Sequence, residues 1–231
     1  MNNENGFLNI NKPLNITSMD VIRYLRKVTK IKKIGHAGTL DPLASGVLLV
    51  AIGKYTKKIN EFMGMVKKYE TTIDLRSFST TDDAEGEKTE VNIQKKPNLE
   101  EIEKTIKNNF IGDITQIPPI YSALKIKGKK AYELAREGKN VEMKPRQVKI
   151  DAIKILNYEW PYLTLDITCS KGTYIRSLGR DIGKELNTGG YLTMLKRTAI
   201  GNYTIQESVE LSKINSGNWK NYLQKINNKN I

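Results

Sequence analysis

The sequence contains one cysteine, Cys169, and one histidine, His36. A single cysteine excludes an internal disulfide and any zinc site built on paired cysteines, and a single histidine excludes sites that need two imidazole ligands. Structural zinc and metalloprotease chemistry are therefore excluded.

Long hydrophobic runs are also missing. The longest largely apolar stretch, residues 43–52, is about half as long as a transmembrane helix requires. The first residues, MNNENG, lack the basic region of a signal peptide. We expect a cytoplasmic protein that has no membrane partner.

Positive charge is abundant. The 231 residues include 38 Lys and Arg against 25 Asp and Glu, so the formal net charge is +13, which favours a polyanionic partner. Only eight of these cations are arginines, whose planar guanidinium suits directed pairing better than a lysine ammonium does. Hydrophobic residues make up 39% of the chain, enough for a buried core in one compact domain with appendages.

The hydrophobic pattern predicts strands and helices in irregular alternation. Helices are predicted at about 17–28, 56–65, 98–109 and 174–186, the third beginning with a capping box from Asn98 to Glu101. Strands are predicted at 7–10, 47–52 and 67–75, and an antiparallel hairpin between 147 and 169. This order indicates an α/β or α+β fold with a mixed, largely antiparallel sheet.

A glycine-rich segment, GHAGTLDPLASG, surrounds one carboxylate, Asp41. Pro42 disfavours the helical region for Asp41, and Gly35, Gly38 and Gly46 permit positive φ or a close backbone approach. The segment therefore predicts a tight, rigid turn that presents a carboxylate. The alternative is an ordinary Asp-Pro turn, and the glycine spacing does not fit a phosphate-binding Walker loop.

This segment resembles the signature of the TruB family, the tRNA pseudouridine synthases that modify the T-loop uridine. Further segments resemble other motifs of the family in the same order: NINKPLNITS, KKYE, QIPPIYSALKIKGKKAYELAREG, CSKGTYIRSLGRDIG and LKRTAIG. The matched segments extend from about residue 9 to residue 201. Several motifs in the same order are far harder to obtain by chance than one glycine-rich loop. The resemblance is therefore not a coincidence of that loop alone.

The resemblance implies the family's pseudouridine synthase fold, a reaction without cofactor or metal, and specific roles for five residues. Asp41 is implied to be the nucleophile, Arg176 its charged partner, and Tyr69 an aromatic face that stacks on the uracil. Tyr174 and Leu195 are implied to line the pocket. Without the resemblance, Arg176 could be a surface arginine and Tyr69 a core aromatic.

The chemistry agrees with these roles. Pseudouridine formation breaks the bond between the sugar and a ring nitrogen, turns the uracil, and joins the sugar to a ring carbon, so it needs no redox centre, metal or phosphate donor. It does need an ionised carboxylate in a dry pocket, and a directed arginine pair compensates for the lost hydration.

Basic residues near the matched motifs predict contacts to RNA phosphates. The residues are Lys125, Lys127, Lys129, Lys130, Arg146, Lys171 and Arg197. If about six phosphates are neutralised, affinity should fall about a hundredfold or more between low and moderate salt. By resemblance, His36 enters the space that the everted uridine leaves, although a lone histidine is more often structural.

The chain also departs from the family pattern. Leu75-Arg76 replaces the usual Leu-Gly, and Ser79-Thr80-Thr81 replaces Thr-Asp-Thr. We assign residues 1–201 to one catalytic domain and residues 202–231 to a short basic tail, in the form of a basic helix or a frayed end, which replaces the RNA-binding module of larger members. Relative to members that carry this module, we expect weaker tRNA affinity and intact chemistry. A truncation near Gly201 that binds tRNA as tightly as the full chain would show that the tail is idle.

The predicted partner is the T-arm of tRNA, bound by a monomer that needs no obligate protein partner. Two alternatives stay open: a synthase for another RNA, and a non-catalytic protein that binds or folds RNA. Asp41 and Arg176 together argue against the second, because binding alone does not require a carboxylate aimed at a polyanion.

Overall fold

A computed structural model describes residues 4–122, 124–126, 128–138 and 141–225. The described residues form five α-helices: α1 (Ser18–Thr29), α2 (Ile59–Gly64), α3 (Leu99–Asn109), α4 (Ala131–Arg136) and α5 (Ile175–Glu185). They form fourteen strands, in chain order β1 (Gly6–Lys12), β2 (Ile34–His36), β3 (Ala44–Ile52), β4 (Lys67–Asp74), β5 (Ser77–Ser79), β6 (Lys88–Glu90), β7 (Gly112–Gln116), β8 (Lys125–Ile126), β9 (Lys129–Lys130), β10 (Arg146–Glu159), β11 (Tyr162–Cys169), β12 (Tyr191–Ile200), β13 (Tyr203–Thr204) and β14 (Val209–Glu210). Short 3₁₀ turns occupy Gly53–Lys58, Leu211–Lys213 and Trp219–Tyr222.

The chain divides into two compact units. Unit 1 contains residues 1–70 and 195–231, and unit 2 contains residues 71–194. The division falls within two strands, β4 and β12. Residue 201 is therefore not a boundary between these units. The assignment of the catalytic domain to residues 1–201 is still a prediction.

Unit 1 is built on a mixed sheet. The hydrogen-bonded order is β14, β1, β3, β12; β1 is antiparallel to β3 and parallel to β14, while β12 runs parallel to β3. Strand β3 is continuously apolar and buried from Val47 to Ile52, as a central strand requires. The aromatic side chains of Phe7, Phe62 and Tyr203 pack against one another beside it, with ring centroids 4.9–5.8 Å apart.

Helix α1 begins where the sequence predicts. Thr17 is its N-cap, and Thr17 and Asp20 form a capping box. Val21, Ile22 and Leu25 are buried on one face of the helix. The capping box predicted at Asn98 is also present, at the start of α3 in unit 2.

The strands of unit 2 follow the order β4, β11, β10, β7, and β10 is antiparallel to both β11 and β7. The long β10–β11 hairpin turns at Trp160-Pro161, where the sequence predicts a turn. Strands β5 and β6 pair on either side of the acidic loop at 80–87. With α3 and α5 beside these strands, the prediction of a mixed, largely antiparallel sheet with flanking helices is confirmed.

The prediction for residues after 201 is wrong in its local structure. Residues 203–224 form neither an α-helix nor a frayed end: β13 pairs with β12, β14 pairs with β1, and Gln224 exchanges backbone hydrogen bonds of 2.9 Å with Phe7. Ile214 and Trp219 are buried. Burial of these apolar side chains, together with the added strand pairing, holds the segment against unit 1.

Candidate active site

Asp41 lies on a turn that neighbouring residues of unit 1 hold in place. The amide of Ala44 donates to the carbonyl of Asp41 at 3.0 Å, and the amide of Asn15 donates to the carbonyl of Pro42 at 2.8 Å. On the other side, the amide of Leu40 donates to the Ser18 hydroxyl at 2.8 Å. Three backbone hydrogen bonds within residues 40–44 fix this part of the chain, as the glycine and proline pattern predicts.

Two glycines are required around this turn. Gly38 and Gly46 have φ of +91° and +102°, a region that disfavours side chains. At Gly46 a Cβ atom would also lie 2.2 Å from the carbonyl oxygen of Arg197. The expectation of positive φ and close approach is confirmed at these positions.

Arg197 has a different role from the predicted one. Its Nε donates to the carbonyl of Val47 at 2.7 Å and its Nη2 to the carbonyl of Gly38 at 3.0 Å, and the residue is only 2% exposed. A guanidinium buried in this way cannot meet an RNA phosphate. The prediction that Arg197 binds the RNA backbone is therefore wrong, and Arg197 instead clamps both ends of the glycine-rich segment.

Lys12, from the NINKPLNITS motif, is fully buried in the same unit. Its Nζ donates to the carbonyls of Pro13 and Ile16, each at 2.8 Å. Burial lowers the pKa of Lys12 to about 8, while the negative charge of Asp41 acts in the opposite direction. The Lys-Pro motif does not predict this role for Lys12, because a lysine in a polar segment carries no signal of burial.

His36 ends strand β2, where it pairs with Val50 of β3. Burial and the positive charge of Arg197 lower the pKa of His36, so its imidazole is neutral at pH 7. Its buried Nδ1 finds no hydrogen-bond partner among the described residues. A neutral ring suits stacking against bases better than it suits proton transfer.

Tyr69 and Leu195 also belong to unit 1. Tyr69 lies on β4 and is 9% exposed, so it is nearly buried. Leu195 lies on β12 directly opposite Ala44 of β3, three residues beyond Asp41. The strand register therefore pairs Leu195 with a residue three positions after the predicted nucleophile, and the roles of Leu195 and Tyr69 are still predictions.

Arg176 lies in unit 2, in the first turn of α5, and is 5% exposed. Its Nη1 donates to the carbonyl of Thr81 at 2.9 Å and meets Oδ2 of Asp83 at 3.3 Å. Its Nη2 donates to the carbonyl of Tyr121 at 2.8 Å. The guanidinium of Arg176 is thus buried and fixed by these partners. The alternative interpretation of Arg176 as a surface arginine is wrong.

Asp83 is the partner that sequence reasoning did not single out. Its Oδ1 accepts from the hydroxyl of Thr81 and from the amide of Glu85. The only signal in the sequence is the pair of adjacent acids, Asp82-Asp83, within a polar, acidic segment. Neither carboxylate could be matched to an arginine about ninety residues away without the fold.

The neighbouring residue, Asp82, forms a second ion pair from the same loop to α5. Nη1 of Arg180 lies 2.8 Å from Oδ2 of Asp82, and Nη2 of Arg180 donates to the carbonyl of Ile117 at 3.0 Å. Burial raises the pKa of Asp82 to about 6, against the charge of Arg180. Asp82 has φ of +61°, so the loop is held in an uncommon backbone conformation.

Tyr174 is the N-cap residue of α5 and is held by Gln116. The Gln116 side chain accepts from the amide of Tyr174 at 2.8 Å and donates to its carbonyl at 3.0 Å. The guanidinium of Arg146 lies over the Tyr174 ring, 4.4 Å from its centroid. Arg146 is therefore a stacked, half-buried cation, which orients Tyr174 as well as offering charge.

The other predicted phosphate contacts are surface lysines. Lys125 and Lys171 are exposed in unit 2, and Lys129 is exposed in the β8–β9 hairpin. Lys127 and the side chain of Lys130 lie outside the described residues. Asp41 and Arg176 belong to different units, so their pairing is still a prediction.

No helix in the described part of the chain is long and apolar enough to cross a membrane. Within the same residues, no group of three or more His, Cys, Asp or Glu side chains could hold a metal ion.

Two family models match the chain. One, described as the N-terminal domain of TruB family pseudouridylate synthases, matches residues 26–175. The other, described as the C-terminal domain of tRNA pseudouridylate synthase B, matches residues 176–227.

Curated proteins named tRNA pseudouridine synthase B are similar over most of the chain. The protein of Clostridium novyi (strain NT) is 48% identical over 225 residues, covering 96% of this chain and 76% of that protein. The protein of Bacteroides fragilis (strain YCH46) is 44% identical over 217 residues, covering 91% of this chain and 92% of that protein. The second match extends over nearly the full length of both chains.

Solved structures share the fold. A chain in the crystal structure of a Cbf5-Nop10-Gar1 complex is similar with a TM-score of 0.70 and 28% identity, over 90% of this chain and 52% of that one. A chain in the structure of an H/ACA RNP bound to a substrate RNA containing 2'-deoxyuridine is similar with a TM-score of 0.66 and 26% identity. This chain spans about half the length of those solved chains.

Proposed function

We propose that this chain, which belongs to the TruB family of pseudouridylate synthases, converts the T-loop uridine of tRNA to pseudouridine with Asp41 as the nucleophile. The observation that carries the proposal is the Asp41 turn, which three backbone anchors and the buried Arg197 hold rigid. A nucleophile that is fixed before substrate arrives loses little entropy in the reaction.

Asp41 attacks the target nucleotide, the bond from the sugar to the ring nitrogen breaks, and the uracil turns before the sugar joins a ring carbon. Substrate and product contain the same atoms, so the reaction needs no oxidant, reductant or group donor. Tyr69 stacks on the detached uracil and keeps it in the pocket, a contact worth about 1–3 kcal/mol.

Arg176 supplies the positive charge that keeps the nucleophile ionised in a pocket with little water. The support for this role is its own setting: two carbonyls and Asp83 hold the guanidinium, so its direction is fixed. Leu195 and Tyr174 provide apolar walls around the uracil, the latter ring being oriented by Gln116 and Arg146.

The T-arm of tRNA is the proposed substrate. The curated relatives are named tRNA pseudouridine synthase B, which supports tRNA as the kind of RNA that is bound. The enzyme acts as a monomer in the cytoplasm, where its substrate is found. His36 stacks in the space that the extruded uridine leaves, which offsets the few kcal/mol that base flipping costs. Lys125 and Lys171 contact phosphates as exposed point charges.

A synthase directed to other RNA by a guide is the second candidate, because chains of a Cbf5 complex and of an H/ACA RNP share the fold. These solved chains are 26–28% identical to this chain, whereas the curated proteins named tRNA pseudouridine synthase B are 44–48% identical to it. A guide-dependent enzyme would be inactive on a free tRNA transcript, whereas the proposed enzyme modifies it.

The test is Asp41→Asn, which is nearly isosteric but cannot act as a nucleophile. Pseudouridine in an unmodified tRNA transcript is mapped after incubation with wild type, with Asp41→Asn, and with Asp113→Asn as a control at an exposed aspartate. We expect product at the T-loop uridine for wild type and the control, none for Asp41→Asn, and tRNA affinities within a few-fold. Unchanged turnover in Asp41→Asn would reject the nucleophile, and product at other uridines only would reject the target.

A further inference from the structure

Two arginines of α5 hold the acidic loop at 80–87, and the proposed function gives a role to only one of them. Arg176 and Arg180 are four residues apart, so they lie on the same face of the helix, one turn from each other. Arg176 pairs with Asp83 at 3.3 Å, and Arg180 pairs with Asp82 at 2.8 Å. Adjacent carboxylates of the loop are thus bound by adjacent arginines on one face of the helix.

The same two arginines also hold the segment at 117–121. Nη2 of Arg180 donates to the carbonyl of Ile117 at 3.0 Å, and Nη2 of Arg176 donates to the carbonyl of Tyr121 at 2.8 Å. Each arginine therefore connects the acidic loop to this segment.

The backbone of the acidic loop is fixed beside the two carboxylates. The amide of Leu192 donates to the carbonyl of Asp82 at 3.1 Å, and Asp83 forms an isolated parallel bridge with Leu192. The side chains of Asp82 and Asp83 are 10% and 9% exposed, so solvent screens neither carboxylate well. Each carboxylate is therefore sensitive to the arginine that it meets.

Asp82 also lies beside the guanidinium of Arg176. Nη1 of Arg176 donates to the carbonyl of Thr81 at 2.9 Å and to Oδ2 of Asp83 at 3.3 Å. These two residues flank Asp82 in the chain. Burial raises the pKa of Asp82 to about 6, and the charges of Arg180 and Arg176 act in the opposite direction. Without Arg180, an ionised Asp82 would compete for Arg176.

We infer that Arg180 is a positioning residue: it binds Asp82 and thereby prevents that carboxylate from drawing the Arg176 guanidinium away from Asp83. This inference rests on the proposed function for the part that Arg176 plays in the chemistry. Arg180 acts only through Arg176, so its loss should slow the reaction and leave tRNA binding intact.

The experiment removes Arg180 alone and together with the carboxylate that it binds. The variants are Arg180→Met, Asp82→Asn, the double variant Arg180→Met/Asp82→Asn, and Arg180→Lys. Single-turnover pseudouridine formation at saturating protein and affinity for a tRNA transcript are measured. The matched control is Arg76→Met: Arg76 pairs with the buried Asp74 at 2.6 Å in the same unit, so this variant also leaves a buried carboxylate without its arginine.

At about pH 7.5 we expect Arg180→Met to slow the single-turnover rate at least about tenfold, while tRNA affinity changes by less than about threefold. The double variant should return to within about threefold of the wild-type rate, because a neutral asparagine does not compete for a guanidinium as an anion does. Asp82→Asn and Arg180→Lys should each stay within about threefold of wild type, since the first keeps a hydrogen-bond acceptor and the second keeps the charge. Arg76→Met should leave the rate unchanged.

The pH dependence tests the same competition. Four charged groups of α5 act on Asp82, those of Arg180, Arg176, Asp181 and Lys184. When Arg180 is removed, protonation of Asp82 at low pH should have the same effect as the asparagine substitution. The ratio of the Arg180→Met rate to the wild-type rate should therefore rise as the pH falls from about 7.5 to about 5.5. The ratio should be constant when both proteins also carry Asp82→Asn.

Equal rate losses in Arg180→Met and the double variant would overturn the inference, because the ion pair would then be structural only. Weaker tRNA binding with an unchanged rate would assign Arg180 to RNA binding and would overturn it as well.

Hydrogen exchange of the Leu192 amide, which donates to the carbonyl of Asp82, reports on the loop without any reaction. Exchange should be at least about fivefold faster in Arg180→Met than in wild type or the double variant, and equal exchange in all three would contradict the inference. If wild type forms no pseudouridine, the proposed function fails, and this measurement still decides whether Arg180 keeps Asp82 in place.

Discussion

Arg197 offers the sharpest test of how the Asp41 turn is held. Its guanidinium joins Gly38, before the turn, to Val47, after it, through two hydrogen bonds in a buried site. Methionine at this position keeps much of the side-chain volume and removes both donors. Arg197→Met therefore leaves two buried carbonyl groups without these partners.

The expected cost follows from these bonds. A hydrogen bond to a charged group contributes about 1.5–3 kcal/mol, so the loss of two should lower the free energy of unfolding by about 3–6 kcal/mol. Domains are stable by about 5–15 kcal/mol in total. With a slope of about 3 kcal/mol per molar urea, the unfolding midpoint should fall by about 1–2 M. Arg197→Lys should fall by about half as much, because one donor can still reach a carbonyl.

The assay is urea unfolding, together with the salt dependence of tRNA affinity for the folded variants. Arg23→Met is the control, since Arg23 pairs with Asp20 on the surface and such pairs contribute about 0–1 kcal/mol. We expect activity at saturating tRNA to fall with Arg197→Lys while the salt slope stays at the wild-type value. If the urea midpoint were unchanged and the slope of log tRNA affinity against log salt were smaller by about one, Arg197 would contact a phosphate and its structural role would be wrong.

Two further predictions concern titrating groups. Because burial keeps His36 neutral, the ratio of single-turnover rates of wild type and His36→Gln should be constant from about pH 6.5 to 8; a ratio that follows one titration near pH 6.5 would identify His36 as a proton carrier. Burial raises the pKa of Asp82 from 3.8 to about 6, so the folded state favours the neutral carboxyl more than the unfolded state does. The stability that the neutral carboxyl gives at low pH is therefore lost as the pH rises through about 6. Asp82→Asn should therefore gain up to about 3 kcal/mol relative to wild type between pH 4 and pH 7 in urea unfolding, and Asp113→Asn should show no such trend. A difference that does not change with pH would mean that Asp82 is ionised throughout.

Local signals in the sequence predicted local structure well. The capping box predicted from Asn98 to Glu101 identifies the start of α3, because both partners lie within one turn. Gly38 and Gly46 mark the turn because few other residues accept positive φ. The turn at Pro161 separates two strands that read clearly as a hairpin.

The residues that hold the candidate site were harder to identify. Arg197, Lys12 and Asp83 all have their partners or their burial decided by contacts distant in sequence, and none of these appears in a local pattern. A charged residue looks alike in the sequence whether it clamps a carbonyl or meets solvent. This is why Arg197 was assigned to RNA.

The tail was misjudged for the same reason. Strand β14 has two residues, too few for a periodic signal, and it exists because β1 offers an edge. Tyr203 packs against Phe7 and Phe62. Truncation near Gly201 would therefore remove part of the core of unit 1 together with the tail.

The pairing of Phe7 with Gln224 has a consequence for biosynthesis. Unit 1 takes its first strand from the start of the chain and its outer strand from near residue 210, so a ribosome must release more than two hundred residues before that sheet can close. Unit 2, a continuous segment, can fold while translation proceeds. During that interval the edge of β1 is open, and a nascent chain that stalls late would expose it to aggregation or to chaperones.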